Sequence, residues 1–280
     1  MGPDWLGAAR RAAEVTAAML AARPTTAERV AETGQRGEGG DRTLEIDAAA
    51  EVAVFDELQR LHDEGARFDV VSEERGRVGF GGGGLLVVVD PIDGSRNAKR
   101  GFPHLALSIA VADGPTMRDV LFGYVKDFGA GEEWVAWRGE GAQLDGAALD
   151  PELGERRSRD GRLELVGIES ADPRWVRDSA DALAGSAARL RALGTIACTL
   201  CQVAAARLDG MLTLKGTRAV DAAAGQLIVR EAGGHVAFPA FEDPLGAPLD
   251  LAPHSPVIAA RTPAGLRELA AIPRLPPWEG

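Results

Sequence analysis

Cysteine is scarce in this chain: of 280 residues, only Cys198 and Cys201 carry a thiol. They form a single C-x-x-C, and the four histidines, His62, His104, His235 and His254, are scattered. A redox pair or half a zinc site is the sharp reading. With no second C-x-x-C, two small core residues one helical turn apart is the better one. Long apolar runs are missing as well, so no segment is expected to span a membrane. The N-terminal MGPDWLGAARRAAEV has no uninterrupted apolar core of signal-peptide type. A soluble cytoplasmic protein is expected. Positive charge is in deficit, with 31 Lys+Arg against 42 Asp+Glu, a net charge of -11 and a pI of about 5.0. That balance argues against nucleic acid or an anionic membrane as the main partner. It leaves room for an anionic small substrate, because bound cations can invert the field locally. Lysine occurs only at Lys99, Lys126 and Lys215. Hydrophobic residues make up 45%, so global disorder is excluded and one large or two small domains are expected.

What the chain does have is a valine run broken by acids. Leu85–Val89 reads as a buried strand, although periodicity alone leaves a helix open. It ends in Asp90-Pro91-Ile92-Asp93-Gly94-Ser95. Pro91 cannot donate a ladder hydrogen bond, so pairing is expected to stop there. Two carboxylates then leave the sheet together, one on each side of a stiff turn. Gly94 permits close backbone approach, and Ser95 can cap a short helix. Paired acids followed by amide N–H groups suit a cation and a phosphate held side by side.

Around this stretch the pattern predicts an opening helix over 4–22, ended by Arg23-Pro24, and a mobile glycine-rich loop over 34–42. A helix over 46–63 places Asp47 and Glu51 one turn apart, as solvated surface or, for Asp47, facing the Asp90 cluster. Phe68–Ser72 reads as a strand ending in Glu73-Glu74. Residues 79–84 read as a loop that satisfies neither the dinucleotide fingerprint nor the P-loop, and a flexible hairpin is the better reading. Strands follow at 105–111, 120–125 and 133–137, with a tight-turn region over 139–146. The polar stretch 150–162 divides residues 1–150, an α+β half with an antiparallel sheet and the candidate metal site, from residues 151–280, an α/β half; the two form one continuous catalytic unit. In the second half, strands are predicted at 163–168, 190–193, 211–214 and 257–260. Helices are predicted at 173–185, 195–207, 220–232 and 263–271. No internal repeat is visible.

Acids thus stand at the end of a strand or the start of a helix in four separate segments: Asp47, Glu73, Asp90 with Asp93, and Asp221. Gathered in one cleft they would repel each other, and a hard cation with oxygen ligands would resolve this. The alternative from spacing alone is unrelated surface acids.

The residues themselves go further. The chain resembles the inositol monophosphatase superfamily, which includes fructose-1,6-bisphosphatases, and in particular its archaeal-type dual-activity members. The resemblance rests on Asp90-Pro91-Ile92-Asp93-Gly94-Ser95 with Asn97, on Ser72-Glu73-Glu74 upstream, and on Val220-Asp221-Ala222-Ala223-Ala224-Gly225 with Glu231-Ala232-Gly233-Gly234 downstream. Leu193-Gly194-Thr195 and Arg207-Leu208-Asp209-Gly210 fall between them, and the match runs from about 40 to 235. It implies a layered α/β/α/β/α sandwich, usually a homodimer, holding two to three Mg2+ ions. Glu73, Asp90 and the Ile92 carbonyl are the implied ligands of the first ion, and Asp90, Asp93 and Asp221 those of the second. Glu73 would also reach a third, with Glu38 or Asp41 as helpers from the 34–42 loop. The implied reaction is direct attack of metal-activated water on a phosphomonoester. Glu73 and Ser95 would orient and deprotonate the water, Asp47 would support Ser95, and the amides of Gly94 and Ser95 would hold the phosphate. An aspartyl-phosphate route of the haloacid-dehalogenase type is disfavoured, since Asp90 and Asp93 are one residue too far apart for that pattern.

For the substrate, Gly194 and Thr195 match positions lining the sugar or inositol side, with Asp93 beside the same group. Inositol-preferring members carry an acid seven residues before the second-motif aspartate; here that position is Leu214, followed by Lys215. Arg189, Arg191, Lys215 and Arg218 bring cations to this region, and Arg218 and Arg191 are the candidate contacts to a second phosphate. Inositol monophosphate and fructose 1,6-bisphosphate are therefore the expected substrates. Adenosine 3′,5′-bisphosphate or another sugar phosphate is the alternative, and a non-catalytic phosphate- and metal-binding regulator the remote one.

Overall fold

The computed structural model describes residues 2–30, 32–36, 38 and 42–272. The first half holds α1 (Trp5–Ala21), α2 (Thr26–Arg29), β1 (Glu32–Arg36), β2 (Arg42–Leu44), α3 (Glu45–Asp63), β3 (Phe68–Ser72), β4 (Gly76–Asp93), α4 (Ser95–Arg100), β5 (Ala106–Ala112), β6 (Val120–Asp127), β7 (Glu133–Trp137), β8 (Gly141–Leu144) and β9 (Ala147–Ala148). The second holds β10 (Val166–Glu169), α5 (Pro173–Asp178), α6 (Ala180–Ser186), β11 (Leu190–Arg191), α7 (Ile196–Ala204), β12 (Gly210–Thr213), α8 (Ala219–Glu231), β13 (His235–Ala237), β14 (Ile258–Ala260) and α9 (Pro263–Ala270).

The layers follow from side-chain alternation along the strands. One sheet has seven strands in the order β3-β4-β5-β6-β7-β8-β9. On one face, Val87 and Val89 of β4 and Leu107, Ile109 and Val111 of β5 pack with Trp5, Ala8 and Ala12 of α1 and Phe55, Leu58 and Leu61 of α3. The residues between them, Leu86 and Val88 of β4 and Ala106, Ala110 and Ala112 of β5, point to the other face. There they meet Cys198, Leu200 and Cys201 of α7 and the alanines of α8. The same cluster takes in Met211, Val236 and Ala259 from the second sheet, five strands in the order β11-β10-β12-β14-β13. The far face of that sheet, Ile168, Leu212, Ile258 and Ala260, packs with Leu183 of α6 and Leu269 of α9. The result is an α/β/α/β/α sandwich in which α7 and α8 are the shared central layer. Both cysteines are buried there, unbridged, so the core reading of the C-x-x-C describes them.

Small residues set the spacing of that layer. A β-carbon added at Gly123 of β6 would come within 2.8 Å of the Ala224 carbonyl oxygen, and one at Gly225 within 2.8 Å of the Leu200 side chain. The alanine-rich face of α8 lies backbone-close to the sheet because nothing larger stands between them.

Several local expectations are corrected. Within 34–42, residues up to Arg36 belong to β1 and Arg42 begins β2, and the two strands pair antiparallel, Glu32 with Leu44 and Arg36 with Arg42. Backbone pairing within this hairpin supplies order that the glycine-rich composition does not advertise. Residues 79–84 form the reversal of a hairpin whose two arms both pair with β3. β4 passes β3 twice, Ser72 pairing with Gly76 on the way out and with Val89 on the return. Gly81–Gly84, all at positive φ, carry the reversal between the two passes. Residues 139–146 contain β8, with turns on either side, Asp145 and Gly146 both at positive φ. The single helix expected over 173–185 is two, broken at Ser179, whose φ of -105° and ψ of 4° lie outside the helical range. The chain also adds β13, not foreseen in the sequence, after the Gly233 turn.

Candidate metal and phosphate site

The acidic stretch is a bulge and not a strand end. β4 pairs with β5 at Asp90–Ser108 and again at Asp93–Ala106, with a register shift between. Pro91 and Ile92 stand opposite the single residue Leu107, so β4 carries one extra residue here, which is where a missing N–H is tolerated. Ile92 is buried among Leu20, Ile46, Ala50, Ala98 and Leu105, which pins the bulge from below. The Asp90 carboxylate accepts from the Ile92 amide at 3.0 Å. Gly94 is the N-cap of α4 at φ 94°, and Ser95 is the first helical residue rather than the cap. The Ser95 hydroxyl donates to the Ile92 carbonyl at 3.1 Å.

Across the junction, α7 and α8 bring the other half. Thr195, the N-cap of α7, donates its hydroxyl to Asp93 Oδ2 at 2.6 Å, and the Ala197 amide donates to the same oxygen at 2.6 Å. Asp221 sits in the first turn of α8, where a carboxylate also answers the helix dipole. Carboxylate oxygens of Asp90, Asp93 and Asp221 lie within 4.8 Å of one another, all three side chains buried. Arg218 connects this group to Glu73, with Nη1 at 2.7 Å from Glu73 Oε1 and Nη2 at 3.3 Å from Asp221 Oδ1.

The electrostatics are those of negative charge crowded out of water. Burial, then Glu73, Asp93 and Asp221, push the Asp90 carboxyl well above the usual range. Burial and Asp221 do the same to Asp93 against the pull of Thr195 and the Ala197 amide. Glu73 is pushed up to about 7 by burial, with Arg218 opposing. Burial would lower the Arg218 guanidinium, but Asp221, Glu73 and Asp90 together hold it higher than usual. The donor set is all oxygen, anionic and convergent, so it fits a hard divalent ion such as magnesium. One arginine against four carboxylates leaves negative charge that such an ion would neutralise.

The residues singled out in the sequence are distributed as follows. Glu73, Asp90, Asp93, Asp221 and Arg218 come together; Ile92, Gly94, Ser95, Gly194 and Thr195 border them. Asp47 and Glu51 are buried, so neither is solvated surface. Glu51 instead holds the turn after β3, accepting from the Ser72 hydroxyl at 2.5 Å and the Arg75 amide at 3.1 Å. Asp47 lies on α3 next to Ile46, which packs under the bulge. Arg191 is exposed on edge strand β11 and bonds the Leu190 carbonyl. Arg218, proposed for a substrate phosphate, is engaged with the acids themselves. Glu38 is exposed and reaches the same region through its amide, which donates to the Glu74 carbonyl. Asp41 lies outside the described residues. One residue was missed: Glu169, buried at the end of β10, where it binds the 193–194 segment. An acid closing an apolar strand was the available signal, the same one that marked Glu73 and Asp90.

A five-layer sandwich with a buried carboxylate cluster between its sheets, next to a glycine-started helix, defines a protein of the sugar-phosphatase type. The inositol monophosphatase family profile matches residues 4–272, and the chain belongs to that family. It is 33% identical over 243 residues to a fructose-1,6-bisphosphatase/inositol-1-monophosphatase of Methanothermobacter thermautotrophicus, covering 83% of each chain. It is 32% identical over 235 residues to the Nus factor SuhB of Escherichia coli K12, covering 82% of this chain and 84% of that one. Among solved structures, the extragenic suppressor protein suhB of Bartonella henselae superposes with a TM-score of 0.73 at 25% identity, over 95% of each chain. An inositol monophosphatase–fructose 1,6-bisphosphatase gives a TM-score of 0.78 at 22% identity, over 96% of this chain and 99% of that one, a likeness of fold alone.

Proposed function

We propose that this chain is a magnesium-dependent phosphomonoesterase acting on inositol monophosphate, fructose 1,6-bisphosphate or both. The observation that carries the proposal is the convergence of Asp90, Asp93 and Asp221 within 4.8 Å, with Glu73 tied to them by Arg218. Glu73, Asp90 and the Ile92 carbonyl would hold one ion, and Asp90, Asp93 and Asp221 a second. Bound magnesium supplies charge neutralisation at the phosphoryl oxygens and acidifies water. The chain's own residues do the rest. The amides of Gly94 and Ser95, in the first turn of α4 where N–H groups lack helical acceptors, hold phosphate oxygens. Glu73, buried beside Asp90 and Asp221, would act as the base toward the attacking water. Ser95 orients that water, and Asp47 supports Ser95 from α3. Arg218 holds Glu73 and Asp221 in place by its ion pairs with both.

Substrate choice rests on the rim. Leu214 stands where an acid would meet ring hydroxyls, and the neighbouring Lys215 ammonium lies 5.9 Å from the centre of the Trp175 ring. With Arg191 exposed nearby on β11, the rim offers cations to a second phosphate. The two activities named for the Methanothermobacter relative support the same reading.

The test is phosphate release with magnesium from inositol 1-phosphate, fructose 1,6-bisphosphate, adenosine 3′,5′-bisphosphate and NADP, with Asp93→Asn as control. Turnover of the first two is expected, together with a loss on the order of a thousandfold or more in folded Asp93→Asn. Near-normal turnover by that variant would sink the site assignment. Relatives named as Nus factors make a binding-only role the rival; saturable substrate binding without any released phosphate would establish it.

A further inference from the structure

Glu169 belongs to none of the implied ligand sets, yet it is the most heavily engaged acid at the junction. It closes β10, in the five-stranded sheet, and is 3% exposed. Its carboxylate accepts from the Leu193 amide at 2.9 Å, the Gly194 amide at 3.0 Å and the Thr199 hydroxyl at 2.7 Å. The Thr199 oxygen also lies 2.8 Å from the Thr195 carbonyl, so its single proton is shared between that carbonyl and Glu169, and the side chain sits against both ends of the turn into α7.

That turn carries contacts to the other half of the molecule at each residue. The Leu193 carbonyl accepts from Asn97 Nδ2 at 2.7 Å, gripping α4. Gly194 lies so near that a β-carbon on it would come within 2.8 Å of Asn97, and one on Gly94 within 3.3 Å of the Gly194 carbonyl oxygen. Thr195 donates to Asp93 Oδ2. No ion ligand lies on the 193–195 segment itself, but the segment fixes Asp93 and the backbone after it. Asp90, Glu73 and Ile92 take their positions from β3, β4 and the cluster beneath the bulge instead.

We infer that Glu169 is a positioning residue for the second ion and the phosphate: by clamping Leu193–Gly194–Thr195 it sets where Asp93 and the Gly94–Ser95 amides stand. This rests on the magnesium reading above, and deepens it by dividing the two ion sites mechanically. The clamp is directional. An ionised carboxylate offers acceptors to all three donors. The three donors converge on its two oxygens, two of them on Oε1 and one on Oε2, so a neutral amide in its place satisfies only part of the set. In Glu169→Gln the side-chain oxygen can serve one of the two amides, and its NH2 faces the other.

The experiment is calorimetric titration of the full chain with magnesium, free of substrate, comparing wild type, Glu169→Gln and Glu169→Ala, with circular dichroism to establish folding. Partners that orient ion ligands are worth roughly 10–100-fold in metal affinity. The expected result for Glu169→Gln is one of the two ions loosened by about tenfold, with the other unchanged. Glu169→Ala, if folded, should loosen the same ion further; if it does not fold, the Gln variant decides. Equal loosening of both ions in Glu169→Gln would show a merely structural role and overturn the inference, as would no loosening of either. Failure of the wild type to bind magnesium at all would overturn the metal reading and this inference with it. Two unequal ions in the wild type with unaffected Glu169→Gln would overturn this inference alone.

Discussion

Burial holds the Glu73 carboxyl at about 7, against an ordinary 4.5, and raises Asp90 and Asp93 in the same direction. A group whose folded pKa is raised binds its proton more tightly in the native state. The stability it contributes is whole below the unfolded pKa and is lost as pH rises through the folded one. In the presence of a chelator, the melting temperature is therefore expected to fall as pH is taken from 5 through 7 to 8.5. Saturating magnesium, which needs the same carboxylates deprotonated, should cancel or reverse that slope. A slope indifferent to magnesium would contradict the electrostatic account of the site. Gly94 gives a second residue-level expectation. At φ 94°, with a β-carbon 2.9 Å from the His104 carbonyl oxygen, Gly94→Ala meets both a disfavoured backbone region and a clash. Urea denaturation should show a loss of about 1–2 kcal/mol from the left-handed backbone alone, and phosphate release should fall with it because the phosphate amides move.

At the scale of elements, the close seat of α8 on the sheet is testable through Gly123. Gly123→Ala drives a methyl group against the Ala224 carbonyl, and overpacking of this kind costs about 1–3 kcal/mol by chemical denaturation. An unchanged midpoint would mean the helix shifts freely. The elements also show what the sequence discloses and what it does not. β5, β6, β7, α3, α7 and α8 were readable because each is a run of strand- or helix-forming residues bounded by a local stop signal. β1 with β2 and the double pass of β4 along β3 were not readable, because their order comes from backbone pairing, which glycine-rich composition does not disclose. Asp90 was legible as a ligand candidate but not as part of a bulge, since Pro91 marks an interruption in pairing without saying that pairing resumes at Asp93. Glu51 and Glu169 were hidden for the opposite reason to Asp221: what distinguishes each is the set of amides and hydroxyls it accepts from, and those donors come from other segments.

For the molecule as a whole, the central layer decides how the two sheets behave as one body. Cys198 and Cys201 lie in it, 1% and 0% exposed, with burial raising both thiols. A thiol reagent should leave both unmodified in the native protein. It should label them together, at the rate of global unfolding, once denaturant is added. Labelling of one thiol under native conditions would show that the layer opens locally. The same layer has a consequence for how the chain is made. During synthesis, the segment through β9 emerges with Glu73, Asp90 and Asp93 already in it, whereas Thr195, Arg218 and Asp221 are still inside the ribosome. The nascent half therefore carries acids whose partners have not yet emerged, and the alanine-bearing face of its sheet lacks α7 and α8 to cover it. Completion of the site and closure of the core arrive together with α7 and α8, so a ribosome stalled before α8 is expected to display a chain that a protease cuts readily.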